Sequence, residues 1–429
     1  MGFSSKLEER LALRSGWFFS TYAILAGFIT YFSMYGFRKP FSVGRFDVSY
    51  TLWDGFVLDA KIMFVLSQVL GYTLSKFLGI KIVSEASRGR RVAMILGFIA
   101  SAQLGLLLFA WLPPGWKPLG LFLNGLPLGM IWGLVFSFLE GRHNTEILAA
   151  GLSTSYIVAS GFVKSTGKWV LLQGVSEYWM PVFTGLIYVL PLLLGLWLLS
   201  QLPEPDSDDE ALRTKRQPMD RAARGRFFRS YAPGLLALTV FYMLLTGYRD
   251  IRDNFSRELW DEMGFAAESH VFTSSEVPIA LIVLLALASI MYIRSNKKAV
   301  MAVHGLLVGG SLMIAIATWA FQMQWISPML WMVSIGLGLY LGYVPFGSVI
   351  FDRIIAETRF VGTAAFMIYV TDAFGYLGSV GIMLYKNFAS IDQSWLEFFI
   401  NFSYLTGIAC AIGFSFSMIY FSRLAKASE

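Results

Sequence analysis

Long apolar runs separated by short polar turns fill almost the whole chain. A helix needs roughly 20 apolar residues to cross the hydrocarbon core of a bilayer. About twelve runs have this length, and each predicts a transmembrane helix. The runs lie near residues 16–36, 56–78, 92–111, 119–139, 147–172, 181–202, 232–248, 271–292, 299–321, 330–351, 361–384 and 398–420. This pattern predicts an all-α membrane protein.

The first six runs resemble the last six. Three correspondences carry this likeness: Gly36-Phe37-Arg38 with Gly247-Tyr248-Arg249, Arg90-Arg91 with Lys297-Lys298, and Glu140 and Arg142 with Asp352-Arg353. Duplicated halves with a solute site between them are a common plan of secondary transporters. We therefore predict two pseudo-symmetric six-helix bundles, at 1–202 and 231–429, joined by a cytoplasmic linker at 203–230.

Composition places the chain in a membrane, because 56% of its residues are hydrophobic and only 14% are charged. Cys410 is the only cysteine, and the three histidines are scattered. No pattern typical of a metalloprotease, ATPase or hydrolase stands in a supporting context. We therefore expect no enzyme activity, no metal and no cofactor.

Positive charge is concentrated in the turns on one side of the predicted membrane. Such a bias indicates topology rather than nucleic-acid binding. It predicts an inner-membrane, multi-pass protein with both termini in the cytoplasm. The residues concerned are Lys76, Lys81, Arg88, Arg90, Arg91, Arg142, Arg294, Lys297, Lys298, Arg353, Arg359, Arg423 and Lys426.

Ionisable residues inside the apolar runs are the main candidates for function. A charge at the bilayer centre costs roughly 2.5 to 3.5 kcal/mol, so it normally faces a cavity or a partner. Tyr31, Tyr35 and Arg38 are spaced i, i+4, i+7 and share one helical stripe. One hypothesis is a polar pocket with a basic floor. The alternative is that both tyrosines belong to an interfacial belt and that Arg38 reaches the headgroups.

The fifth and eleventh runs also carry charge. Lys164 and Lys168 share one helix face, where like charges repel and favour an anion nearby. Asp372 lies between Tyr369 and Tyr376 at helical spacing, and it is a candidate partner or proton carrier. Alternatively, Lys168 marks the outer membrane surface.

Alternating charges follow Arg249, namely Asp250, Arg252, Asp253 and Arg257. This pattern is typical of an exposed helix end rather than of a ligand site. Only Arg249 is therefore a candidate for binding among these residues.

The six-plus-six arrangement, the polar middle loop and the turn Gly89-Arg90-Arg91 together resemble the major facilitator superfamily. The resemblance covers essentially the whole chain and implies alternating access. It also implies a charge clasp between helices that biases the inward and outward states, formed here by Glu85, Arg90 and Arg91.

Charged pairs also close the ends of the fourth and tenth helices. Glu140 with Arg142 and Asp352 with Arg353 stand at these ends. We predict that they form latches of the inward gate.

A narrower resemblance is to the organophosphate:phosphate antiporters. It rests on Tyr35-Gly36-Phe37-Arg38-Lys39-Pro40-Phe41 and on the aromatic stretch from Tyr242 to Arg249. In that family two arginines, one from each half, bind the substrate phosphate. The resemblance implies this role for Arg38 and Arg249.

The leading functional hypothesis is a secondary transporter of a small anionic solute, phosphorylated solutes included. Arg38 and Arg249 would hold the solute, with Tyr31, Tyr35, Lys164 and Tyr242 around them. Protons carried by Asp372 or anion exchange would supply the energy. The alternatives are a non-transporting sensor of the same fold and a transporter of lipids or lipid-linked substrates. The expected partners are the anionic solute and the bilayer, with no nucleic acid, and a monomer is expected.

Overall fold

The computed structural model describes residues 17–51, 57–140, 145–204, 221–358, 365–389 and 393–427. Within these residues, 11 helices are long and apolar enough to cross a membrane. The eleventh predicted run forms a further helix, Ala365–Ala389, whose 25 residues include Asp372 and Lys386 and are not among those 11. The predicted class is confirmed: an all-α membrane protein with about twelve transmembrane helices in two six-helix bundles.

The first half contains α-helices and one small hairpin. Pro40–Val43 and Pro114–Trp116 add two short 3-10 helices. The elements in chain order are α1 (Trp17–Tyr35), β1 (Ser49–Thr51), β2 (Val57–Asp59), α2 (Ala60–Ser84), α3 (Arg88–Trp111), α4 (Lys117–Leu128), α5 (Ile131–Phe136), α6 (Thr145–Leu172), α7 (Met180–Ile187) and α8 (Val189–Ser200). The strands pair antiparallel, with Tyr50 opposite Leu58.

The second half is helical throughout its described residues. Its elements are α9 (Arg221–Asn254), α10 (Ser256–Glu262), α11 (Val271–Met291), α12 (Asn296–Gln322), α13 (Pro328–Ser348), α14 (Ile350–Glu357), α15 (Ala365–Ala389) and α16 (Trp395–Ala427). The long helix α9 contains a kink at Tyr231, two residues before Pro233. Proline removes a backbone donor and clashes with the preceding turn, which accounts for the bend.

Two compact units divide the chain. The N-terminal unit comprises Met1–Arg213 with Ala267–Ser274, and the C-terminal unit comprises Thr214–Ala266 with Ser275–Glu429. Of the segment predicted as a linker, residues 205–220 lie outside the described residues, and α9 begins at Arg221.

Glycines allow close helix contact within each unit. A Cβ added at Gly125 of α4 would lie 2.3 Å from the backbone oxygen of Gln68 in α2. In the C-terminal unit, a Cβ at Gly310 would lie 2.4 Å from the backbone oxygen of Gly338. Membrane helices pack through small residues because lipid tails provide little hydrophobic drive between helices. These contacts fix the helices that carry the polar side chains described next.

Candidate functional site

Arg38 follows the end of α1, where the backbone leaves the helix. The carbonyls at a helix end lack intrahelical partners. Here Gln68 donates from Nε2 to the carbonyl of Arg38 at 2.9 Å, and Asn124 donates from Nδ2 to the carbonyl of Phe37 at 2.9 Å. Gln68 and Asn124 also bond to each other at 2.7 Å. Two buried amides from α2 and α4 therefore hold the backbone that positions Arg38.

Aromatic rings surround the guanidinium of Arg38. Its Cζ lies 4.0 Å from the ring centroid of Tyr72 and 5.7 Å from that of Tyr35. Tyr31 packs edge-on against Tyr35 at 5.6 Å and against Trp132 at 4.9 Å. The predicted stripe of Tyr31, Tyr35 and Arg38 thus belongs to one cluster, here called the Arg38 cluster, which also includes Tyr72 and Trp132.

The burial of Tyr31 and Tyr35 does not fit the alternative of an interfacial belt. Tyr31 is 3% exposed and Tyr35 is 8% exposed, whereas belt tyrosines would face outward. Sequence reasoning missed Tyr72 and Trp132, because each stands in a run rich in aromatic residues with no local feature to single it out.

Lys164 and Lys168 are both buried in α6. Their exposed fractions are 2% and 3%. Lys168 lies one turn before the end of α6, and the alternative that it marks the outer membrane surface stays a prediction. Buried ammonium groups on one helix face remain candidates for holding an anion.

Arg249 lies in a second polar cluster, within the C-terminal unit. Its Nε and Nη2 donate to Oδ1 of Asp250 at 2.9 and 2.6 Å, and its Nη1 donates to the hydroxyl of Tyr343. The guanidinium lies 4.5 Å from the ring centroid of Tyr343. Tyr343 stacks on Tyr242 at 5.1 Å, and the hydroxyl of Tyr242 donates to Oδ1 of Asp372 at 3.1 Å. These five residues form the Arg249 cluster.

Three predicted site residues, Arg249, Tyr242 and Asp372, are therefore joined in one network. Asp250 and Tyr343 were missed. Neighbouring residues on a helix do not normally face each other, so the sequence did not indicate that Asp250 binds Arg249. The side chain of Tyr369 lies outside the described residues.

The exposed helix end predicted after Arg249 is wrong for Asp250 and Arg252, which are 5% and 2% exposed. Arg252 pairs through Nη1 with Oε1 of Glu276 at 2.6 Å and donates from Nη2 to the carbonyl of Met332 at 3.0 Å. Room for the guanidinium comes from Gly336, where an added Cβ would lie 2.6 Å from Nη2. A single acid in the apolar eighth run was the signal that could have revealed this pair.

Among the residues predicted to form the clasp of the N-terminal unit, Arg91 makes a contact between helix ends. Its Nη1 donates to the carbonyl of Ser137 at 2.9 Å, which joins the start of α3 to the turn after α5. The side chains of Glu85 and Arg90 are exposed. Arg88, which the sequence analysis did not assign to the clasp, contacts the chain just beyond α8.

The C-terminal unit has a corresponding bridge. Arg353 in α14 donates from Nη1 to Oδ1 of Asn296 at 3.0 Å, at the start of α12. Arginines thus connect equivalent helix ends in both units. Glu140 and Asp352 are exposed, and Arg142 lies outside the described residues. The gating role of all these residues stays a prediction.

Solved transporters have a similar fold. A D-xylose-proton symporter aligns with a TM-score of 0.61 and 14% identity over 92% of this chain and 96% of that chain. A bacterial homologue of the human lysosomal transporter Spinster gives 0.61 and 15% over 96% and 98%. A bacterial homologue of the human drug peptide transporters gives 0.62 and 13% over 95% and 99%. The chain is a multi-pass membrane protein with the major facilitator transporter fold.

The chain belongs to DUF5690, a family of unknown function whose sequence profile matches residues 40–424. No curated protein sequence matches it significantly. The narrower resemblance to organophosphate:phosphate antiporters stays a prediction.

Proposed function

We propose that this protein is a secondary transporter that carries a small anionic solute by alternating access, with phosphorylated compounds as the favoured class. The observation that supports this proposal most is the occurrence of one arginine–tyrosine cluster in each unit, with both arginines half-buried. Arg38 lies over Tyr72 and Arg249 lies over Tyr343, at 4.0 and 4.5 Å from the ring centroids. Arg38 follows the first long helix of its unit, and Arg249 lies near the C-terminal end of the first long helix of the other unit.

Guanidinium is well suited to an anion of this kind. Its planar fork donates paired, charge-assisted hydrogen bonds to phosphate oxygens, and its flat face packs on an aromatic ring. In the Arg38 cluster the guanidinium carbon lies 4.0 Å from the ring centroid of Tyr72. Lys164, buried in α6, adds positive charge to the same unit.

Energy coupling is assigned to the Arg249 cluster. The half-buried carboxylate of Asp372 accepts a hydrogen bond from Tyr242, which stacks on the tyrosine that contacts Arg249. A proton on Asp372, or exchange with a second anion, would alter this network. A solute that binds one conformation more tightly than the other shifts the population between them, as alternating access requires.

The proposal predicts that Arg38→Lys and Arg249→Lys each abolish uptake. Lysine keeps the charge but loses the bidentate fork, so the solute is no longer held in the transported geometry. Purified protein would first be screened for thermal stabilisation by phosphorylated sugars, phosphonates, carboxylates and nucleotides. Uptake of a stabilising compound into liposomes would then be measured for the wild type and both variants.

Arg257→Lys is a matched control, because Arg257 pairs with Asp261 on α10 at 2.6 Å and belongs to neither cluster. It should transport like the wild type. Normal uptake by both Arg38→Lys and Arg249→Lys would contradict the proposal. Binding without flux in the wild type would instead favour a sensor of the same fold.

A further inference from the structure

The cation of Arg249 is already engaged within its own unit. Two of its nitrogens donate to a single oxygen of Asp250, at 2.9 and 2.6 Å, and a third donates to Tyr343. Asp250 is 5% exposed, so water does little to screen this pair. The two side chains together carry no net charge.

This pairing has a clear physical reason. A largely buried arginine without a counter-charge is strongly unfavourable, because little water is left to solvate its charge. Asp250 supplies that counter-charge from the adjacent position on the same helix. An anion that binds Arg249 through its fork must take over the nitrogens that Asp250 now occupies.

We infer that Asp250 is a built-in competitor of the transported anion, which the anion displaces from Arg249 when it binds. The inference rests on the proposed role of Arg249. Asp250 would leave by rotation of its own side chain, without movement of α9. Tyr343 would stay beneath the guanidinium and keep it in place.

The exchange makes affinity depend on the charge and shape of the incoming group. A phosphate dianion brings more negative charge than one carboxylate and offers three oxygens to the fork. It can therefore displace Asp250 where a weaker anion cannot. When the solute leaves, Asp250 pairs with Arg249 again. The cation of Arg249 therefore always has a negatively charged partner.

The test measures phosphate binding to purified full-length protein. Calorimetric titration with inorganic phosphate would compare the wild type with Asp250→Asn, which keeps the size and one acceptor oxygen but removes the competing charge. Because a hydrogen bond to a charged group contributes roughly 1.5 to 3 kcal/mol, Asp250→Asn should bind phosphate at least about tenfold more tightly. Asp250→Glu retains the carboxylate and should bind far less tightly than Asp250→Asn.

Asp261→Asn is the matched control. It removes one negative charge from a similarly buried pair with Arg257, whose side chains are 12% and 7% exposed, without touching Arg249. It should bind phosphate like the wild type. Phosphate binding that Arg249→Lys weakens but Asp250→Asn does not tighten would overturn the inference and leave the proposed function standing. No phosphate binding by the wild type or any variant would count against both.

Discussion

The guanidinium groups of Arg38 and Arg249 share a tyrosine support but differ in their other neighbours. Tyr72 lies under Arg38 at 4.0 Å, and the carboxylate of Asp250 lies beside Arg249 at 2.6 Å. Attraction between a cation and a ring face contributes about 0.5 to 2 kcal/mol, depending on burial. Tyr72 is 4% exposed, which places this contact toward the stronger end.

Tyr72 is therefore predicted to set the position of Arg38. Tyr72→Leu removes the ring face and should weaken solute binding by roughly five- to tenfold, since about 1 kcal/mol of orientation is lost. Tyr72→Phe keeps the face and serves as the control, with binding close to that of the wild type. Titration of the best compound from the stabilisation screen would measure both. Equal weakening by the two variants would show that the hydroxyl, not the ring face, matters.

The residues of the two clusters could be predicted from the sequence only in part. Arg38 and Arg249 were predicted because the pattern of glycine, aromatic residue and arginine repeats in both halves and resembles that of the organophosphate:phosphate antiporters. Tyr72 and Tyr343 were not predicted, because their contacts with the arginines form between different helices and no local spacing indicates them. Asp250 was not found, because the spacing rules for helices describe backbone geometry and not the reach of a long arginine side chain.

The apolar runs predicted well where helices occur, but they did not predict the breaks within two of them. The fourth run forms α4 and α5, interrupted near Pro127, and the sixth forms α7 and α8, which meet at Tyr188. The length of an apolar run indicates that the segment can span the membrane, but it does not indicate where the helix breaks. They depend on local proline geometry and on packing against neighbours.

The β1–β2 hairpin was also missed, since its residues fall around the start of the second run. A contact with a distant part of the chain stabilises this hairpin, because the hydroxyl of Tyr50 donates to the carbonyl of Pro114 at 2.6 Å. Burial raises the pKa of Tyr50 to about 12, further from neutral pH than the ordinary value for tyrosine. A contact 64 residues away stabilises the hairpin, and no short-range pattern encodes it.

The packing of α2 against α4 gives a prediction about stability. Gly125→Ala would place a Cβ 2.3 Å from the carbonyl oxygen of Gln68, the residue that also bonds to the carbonyl of Arg38. Overpacking of this kind costs about 1 to 3 kcal/mol, so the thermal midpoint should fall. Solute binding should weaken as well, because α2 carries Gln68.

Gly97→Ala in α3 is the matched control, because an added Cβ there meets nothing within 4 Å. Alanine is the better helix former by about 1 kcal/mol, so its midpoint should stay the same or rise. Thermal unfolding of the detergent-purified variants would measure both effects. An unchanged thermal midpoint for Gly125→Ala would contradict this prediction and would mean that α2 and α4 move apart without loss of stability.

At the scale of the whole molecule, the repeated pattern of charge predicts which ends of the helices face the cytoplasm. Basic turns follow the second and eighth helices, and tryptophan-containing turns follow the third and ninth. Lysine and arginine are retained on the cytoplasmic side during insertion. Both units should therefore have the same orientation in the membrane. Arg90 and Lys298 are expected on the cytoplasmic side, and Trp116 and Trp325 on the opposite side.

Labelling of single cysteines tests this topology. Cys410, the only native cysteine, is buried, and Cys410→Ala provides a background without thiols. On that background, Trp116→Cys and Trp325→Cys should react with a membrane-impermeant maleimide on intact cells, since these side chains are 63% and 68% exposed. Arg90→Cys and Lys298→Cys should react only after the cells are opened. The opposite pattern would place the basic turns outside and would contradict the predicted cytoplasmic termini, while labelling of all four sites in opened cells confirms that each is accessible.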